Sequence, residues 1–234
     1  MSIDYSRARR LLARRDPVIR DLMREHGACG LAHAQHTDPF RALLHAIVAQ
    51  QLSTRAAATI EGRFSALYDG VPTPERVAAT SDGQLRSVGL STQKVAYVRD
   101  LCARITAGSL PLGLLDAMPD DEVIAMLTQV KGIGRWTADM FLMFRLHRPD
   151  VLPVGDLGIV KAVQKAYRLR KAPTPERLTR IGESWRPYRS IACWYLWASL
   201  KNKPLTNKPL PPALSTSLGP PRATSKRAAG TSAE

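Results

Sequence analysis

Cysteine is scarce in this chain. Its 234 residues hold only Cys29, Cys102 and Cys193, far apart and at no metal-ligand spacing. An odd, low count suits a reducing compartment, with each cysteine acting as a small buried hydrophobe rather than as part of a disulfide framework. Long apolar runs are missing too: none approaches the roughly 20 residues that span a bilayer. No alternating polar and apolar stretch has useful length, which argues against a sheet, and no internal repeat is visible. Hydrophobic residues still make up 44% of the chain. That is enough for a folded core in one domain or two small, closely packed lobes.

Acidic residues are also few, 20 against 34 lysines and arginines, so the net charge is +14 and the pI about 10.3. A soluble protein this basic usually meets a polyanion, most often nucleic acid, although an arginine-rich genome would also raise the charge. The stretch from Lys201 to Glu234 holds six basic residues and one acidic, a surplus of +5, which leaves +9 on the first 200 residues. The part expected to fold is therefore basic in its own right. The arginine-rich start, Arg7 to Arg15, is read as a surface helix rather than a transit peptide, because Asp4, Asp16 and Asp21 lie in and around it.

The patterning is helical. Between Leu90 and Gly108, Val95, Val98, Leu101, Cys102 and Ile105 recur at steps of three and four, the stripe of an amphipathic helix. Asp38-Pro39 pairs an N-cap with a proline at the first helical position. That helix runs through Leu43, Leu44, Ile47 and Val48, breaks near Gln51 to Ser53, and resumes through Ile60, Phe64 and Leu67. Thr80-Ser81-Asp82, Ser91, Pro119-Asp120 and Thr174-Pro175 are further start signals. The expectation is an all-α domain of about ten helices over residues 1–202. Residues 203–234, rich in proline, serine, threonine, alanine and lysine, are expected to be a disordered basic tail.

The sharpest motif is Val130-Lys131-Gly132-Ile133-Gly134-Arg135-Trp136-Thr137-Ala138, set between two apolar helical segments. Two glycines permit a tight turn and close backbone approach, while Ile133 pins the turn between the helices. The free amides at the start of the second helix can then bind an anion. Lys131 and Arg135 add charge where a phosphate would lie. An ordinary helix–helix turn would look similar. Downstream, Asp156 follows a loop marked by Pro149 and Pro153 and precedes the stripe Val160, Val163, Tyr167. It should therefore sit at a helix N-terminus, where the dipole favours the ionised carboxylate. By itself such an aspartate is most often only a cap.

Three segments taken together, Ile47 to Ser53 (with Gln50-Gln51-Leu52), the hairpin above, and Leu152-Pro153-Val154-Gly155-Asp156, resemble the helix-hairpin-helix superfamily of DNA glycosylases. Within it they resemble the 3-methyladenine DNA glycosylase II family. The resemblance covers Asp16 to Lys203. It implies two helical lobes with a DNA-binding cleft between them. There is too little chain before Asp38 for the β-rich N-terminal domain of the best-known bacterial members, so a compact form is expected.

The resemblance also distributes roles. Asp156 takes the place of the catalytic aspartate, whose charge would stabilise the cationic sugar that forms as the N-glycosidic bond breaks, or orient a water to attack it. Lys131, Gly132, Ile133, Gly134, Arg135 and Thr137 would grip DNA. Leu52 would be the wedge that fills the gap left by a flipped base, though alone it reads as a core leucine. Trp136, Trp197 and Gln51 would line the base pocket, where each ring attracts a cationic base by about 0.5–2 kcal/mol. Relatives that also cut the backbone carry a lysine in place of Trp136; tryptophan cannot form a Schiff base, so no lyase activity is expected. Three scattered cysteines exclude the iron-sulfur branch, which needs four close together. No cofactor is implied, although the family suggests a monovalent cation on hairpin carbonyls. Met140 and Leu157 stand where some members place tyrosines near the base, which bears on substrate breadth.

The function implied is excision of alkylated purines from double-stranded DNA by a monomer, in the cytoplasm on a bacterial nucleoid. Two other readings stay open on the residues: a non-catalytic DNA clamp, and a glycosylase for uracil, mismatched or oxidised bases.

Overall fold

In the computed structural model, residues 3–33 and 38–200 are described. Short polar side chains start most of the helices. Asp4 and Asp16 cap α1 (Tyr5–Arg15) and α2 (Pro17–His26), and Asp38 caps α3 (Pro39–Ala49), with Pro39 in its first turn. Ser53 caps α4 (Thr54–Ala66), Thr73 caps α5 (Pro74–Ala79), and Ser81 forms a capping box with Gln84 on α6 (Asp82–Ser87). Ser91 caps α7 (Thr92–Thr106). Pro119 precedes α8 (Asp120–Leu127) without a side-chain bond, but three acidic residues in the first turn complement its dipole. Then follow α9 (Arg135–Phe144), α10 (Leu157–Ala166), α11 (Pro175–Gly182) and α12 (Arg189–Ser199), with 3-10 turns at Gly30–His33, Leu112–Leu114 and Glu183–Trp185.

Among the described residues there are twelve α-helices and no strand, two helices more than the ten expected. The difference has a physical source. Six-residue helices such as α5 and α6 span less than two turns and cannot display a 3.6-residue period. The expected tail from residue 203 lies outside the described residues.

Helix contacts separate the chain into two lobes. One is built by α3 to α9, in which α3 packs on α4, α7 and α9, and α7 gathers α5 and α6. The other joins the two ends of the described chain: α1 packs on α2, and α12 packs on α2 and α10. A continuous apolar core runs through both, with Leu43, Ile47, Leu101 and Leu142 in the first and Leu12, Ile19, Trp185 and Tyr195 in the second. Asp16 fastens the second lobe. One of its oxygens accepts from the Val18 and Ile19 amides, the other from the Tyr167 hydroxyl and from Trp185 Nε1 at 2.8 Å.

The segment between α9 and α10 crosses from one lobe to the other and is strapped to α12. Arg189 makes a bidentate pair with Asp150 at 2.8 and 3.0 Å. The Ser190 hydroxyl donates to Arg148 O and accepts from the Val151 amide. These bonds fix where Asp156 emerges.

Candidate active site

The site begins with the turn between α8 and α9. Gly132 has φ +82°, and a Cβ there would lie 2.2 Å from the Tyr97 ring. Both the left-handed backbone and the packing therefore demand glycine. Ile133 is buried, and its amide closes the turn on Val130 O at 3.0 Å. Gly134 caps α9 with no side chain over the helix end, and a Cβ there would meet nothing within 4 Å. The first amides of α9 thus face open space, the arrangement that receives an anion. Exposed Lys131 and Arg135 flank it. Asp139, buried one turn along, accepts from Arg135 Nε at 3.0 Å; burial raises its pKa despite that partner. Thr137 is buried, so it offers its backbone rather than its hydroxyl.

The loop between α3 and α4 docks on this turn. Gln50 Nε2 donates to Gly132 O at 2.7 Å. Lys94 Nζ, on α7, donates to Val48 O and Gln50 O at 2.7 and 2.8 Å, closing the C-terminal end of α3. The Lys131 amide donates to Asp100 at 2.9 Å. Burial alone would raise the Asp100 carboxyl, but this amide and Arg104 together hold it below its ordinary value. Anchored by Gln50, the loop projects Gln51, at φ +57°, and Leu52, 37% exposed. A leucine with a third of its surface in water at a loop tip is not a core residue. Gln51 is exposed beside it and shares no hydrogen bond with Asp156 or the tryptophans among the described residues.

Asp156 caps α10 from the seam between the lobes and is only 9% exposed. Its Oδ1 accepts from the Ile159 amide at 2.7 Å and from Trp197 Nε1 at 2.9 Å; its Oδ2 accepts from Trp136 Nε1 at 2.6 Å. Trp136 belongs to the hairpin lobe and Trp197 to α12, so the carboxylate is held from both sides. Trp136 is 51% exposed and Leu157, next to Asp156, 72%. Trp197 is half-buried and stacks on Phe144, with centroids 6.0 Å apart. Met140 lies one turn along α9 from Trp136, partly buried on the same face. A Cβ on Gly158 would come within 2.9 Å of Asp156 Oδ1 and 3.1 Å of Trp197.

A glycine turn with an open helix N-terminus, a projecting loop tip and a carboxylate under two indoles thus share one region. The family model described as the HhH-GPD superfamily base excision DNA repair protein matches residues 44–187. The chain belongs to the HhH-GPD superfamily. Among its relatives, the DNA-3-methyladenine glycosylase 1 of Schizosaccharomyces pombe is 35% identical over 178 residues, covering 75% of this chain and 78% of that protein. The solved structure of the fission-yeast 3-methyladenine DNA glycosylase in complex with abasic DNA aligns with a TM-score of 0.71 at 31% identity, covering 82% of this chain and 96% of that one. A DNA-3-methyladenine glycosidase from Bacillus halodurans aligns at 0.75 with 35% identity, covering 82% and 88%.

Within this HhH-GPD protein, sequence reasoning missed the bonds that hold the pieces together: Gln50 to Gly132, Lys94 to the end of α3, Asp100 to Lys131, and both indoles to Asp156. Each joins residues at least 20 positions apart. The chain pattern carries no signal for such pairings. The three cysteines are buried and unpaired; burial pushes the Cys29 and Cys102 thiols up to about 12. Among the described residues no helix is long and apolar enough to cross a membrane, and no cluster of side chains could hold a metal ion.

Proposed function

We propose that this chain is a monofunctional DNA glycosylase that flips alkylated purines of the 3-methyladenine and 7-methylguanine type out of duplex DNA and hydrolyses their N-glycosidic bond. The observation that carries the reading is the position of Asp156: a buried carboxylate at a helix N-terminus, beneath exposed Trp136 and within one side chain of the hairpin. The names of the relatives point to 3-methyladenine.

The chemistry follows from the groups present. The amides at the start of α9, with Lys131 and Arg135, hold a backbone phosphate, and Leu52 fills the space the nucleotide vacates. An N3- or N7-alkylated purine is cationic, so the exposed face of Trp136 favours it over a neutral base. As the C1′–N bond breaks, its electron pair goes to the base, which leaves neutral. Positive charge builds on the sugar opposite Asp156, and a fixed anion in a dry site stabilises it more than water would. Water then adds to C1′ and gives up its proton to the carboxylate and on to solvent. No lysine stands at position 136 to trap the sugar, so the product is an intact abasic strand.

The bond-breaking step in this reading calls on no cofactor. A monovalent cation on hairpin carbonyls would share them with the Gln50 amide, which already occupies one face of Gly132 O. The protein works as a monomer on double-stranded DNA, in the cytoplasm of a bacterium. The test is to incubate methylated duplex DNA with the protein and identify the bases released. Free 3-methyladenine, with strands that break only on alkali treatment, is the expected result. Binding without any released base would favour the plain DNA clamp, and release of uracil or oxidised purines in its place would favour a different glycosylase.

A further inference from the structure

The two oxygens of Asp156 are held differently. Oδ1 receives two donors from inside the C-terminal lobe, the Ile159 amide and Trp197 Nε1. Oδ2 receives only Trp136 Nε1 among the described residues, from a ring half in water on the opposite lobe. Trp197 itself is fixed: it stacks on Phe144 and rides on α12, most of whose side chains are fully buried. With its N–H directed at Asp156 and its ring against Phe144, Trp197 is better placed to aim the carboxylate than to wall the pocket. Gly158 supports this, because any side chain there would push Oδ1 and the Trp197 ring apart.

We propose that Trp197 is the positioning residue of this site: with the Ile159 amide it locks Oδ1, leaving Oδ2, latched in the free protein by Trp136, as the oxygen that faces the extruded nucleotide. The inference rests on the glycosylase reading and goes beyond it by giving the two indoles different jobs. Trp136 releases Oδ2 when a base arrives and stacks on that base. Trp197 does not move.

Cys193 on α12 feels the charge of Asp156 together with that of Arg189 at the start of the same helix, Asp139 on α9 and Asp150 in the segment between α9 and α10; Asp139 is paired with Arg135 and Asp150 with Arg189. None of them hydrogen-bonds to Asp156 among the described residues.

The test uses the full chain and single-turnover excision of 7-methylguanine from duplex DNA across pH. Trp197→Phe keeps a ring against Phe144 and removes the N–H. Replacing the Trp197 indole by benzothiophene keeps its full shape and removes the same N–H. A donor to an ionised carboxylate favours ionisation, so in both variants the acid limb of the rate profile should move to higher pH. The plateau rate should fall about tenfold, the order of one charge-assisted hydrogen bond, with Kd for the lesion duplex unchanged. Asp139→Asn should leave the acid limb where it is. In the free protein, Asp156→Asn should shift both indole N–H resonances, a readout that needs no catalysis. A raised Kd with an unmoved acid limb in the benzothiophene variant would overturn the proposal and return Trp197 to the pocket wall. Absence of excision by the unmodified protein would instead defeat the glycosylase reading, and the resonance shifts would still judge the hydrogen bonds.

Discussion

Asparagine caps a helix about as well as aspartate, which makes Asp156 separable from its own structural role. Asp156→Asn should keep the start of α10 and the melting temperature while excision of 3-methyladenine falls on the order of 10²-fold or more. Unchanged turnover would remove Asp156 from the mechanism. Asp156→Ala should add a loss of about 1 kcal/mol in stability, because the Ile159 amide loses its acceptor. Gly158→Ala should act like a weak version of the first change, since its methyl presses on Oδ1 and Trp197. The cap at Asp156 could be read from the sequence, because capping is local: a short polar residue followed by an apolar stripe. The identity of its two indole partners could not, since they lie 20 and 41 positions away.

At the scale of elements, the hairpin and the loop between α3 and α4 form one unit. Gly132→Ala would need a left-handed backbone and a displaced Tyr97, so it should weaken binding to damaged and undamaged duplex alike. Lys131→Gln and Arg135→Gln should each lower the slope of log Kd against log salt by about 0.9, the signature of one lost phosphate contact. A slope that does not change would mean these side chains point away from DNA. The loop between α3 and α4 depends also on the packing of those two helices, where His45 and Glu61 share a hydrogen bond. The bond to Glu61 raises the His45 pKa above its ordinary value of 6.5, against the opposing effect of burial. A raised folded value means stability fully present below pH 6.5 and lost as pH rises through that raised value. The melting-temperature gap between the protein and His45→Gln should therefore be largest in mild acid and shrink toward pH 9. The break between α3 and α4 was legible because polar Gln50, Gln51 and Ser53 interrupt an apolar period. What the break docks on was not, because Gln50 and Gly132 are 82 residues apart. Short α5 escaped for the complementary reason, too few residues to repeat, while α6 showed only its start signal at Ser81.

On the whole-molecule scale, the all-helical class, the basic surface and the order of the three motifs were all visible in the chain. The two-lobed plan came from resemblance rather than from periodicity, because periodicity says which face of a helix is buried and not against what. The structure shows that the lobe holding Asp156 is sewn from the two ends of the described chain. Asp16 in the first stretch binds Tyr167 and Trp185 in the last, and α12 lies against α2. Asp16→Ala removes the acceptor of the buried Tyr167 hydroxyl, the nearer of the two acceptors of Trp185 Nε1 and the cap of α2, at a cost of roughly 1–3 kcal/mol. It should lower the melting temperature and reduce excision, although Asp16 touches none of the groups proposed to meet DNA. A ribosome synthesising this protein finishes the hairpin lobe well before it reaches the helix that closes the other one. A nascent or truncated chain lacking α12 would carry the apparatus for gripping a backbone while its carboxylate lacks the indole that fixes one of its oxygens, so the capacity to damage the genome by stripping bases matures only once α12 has docked.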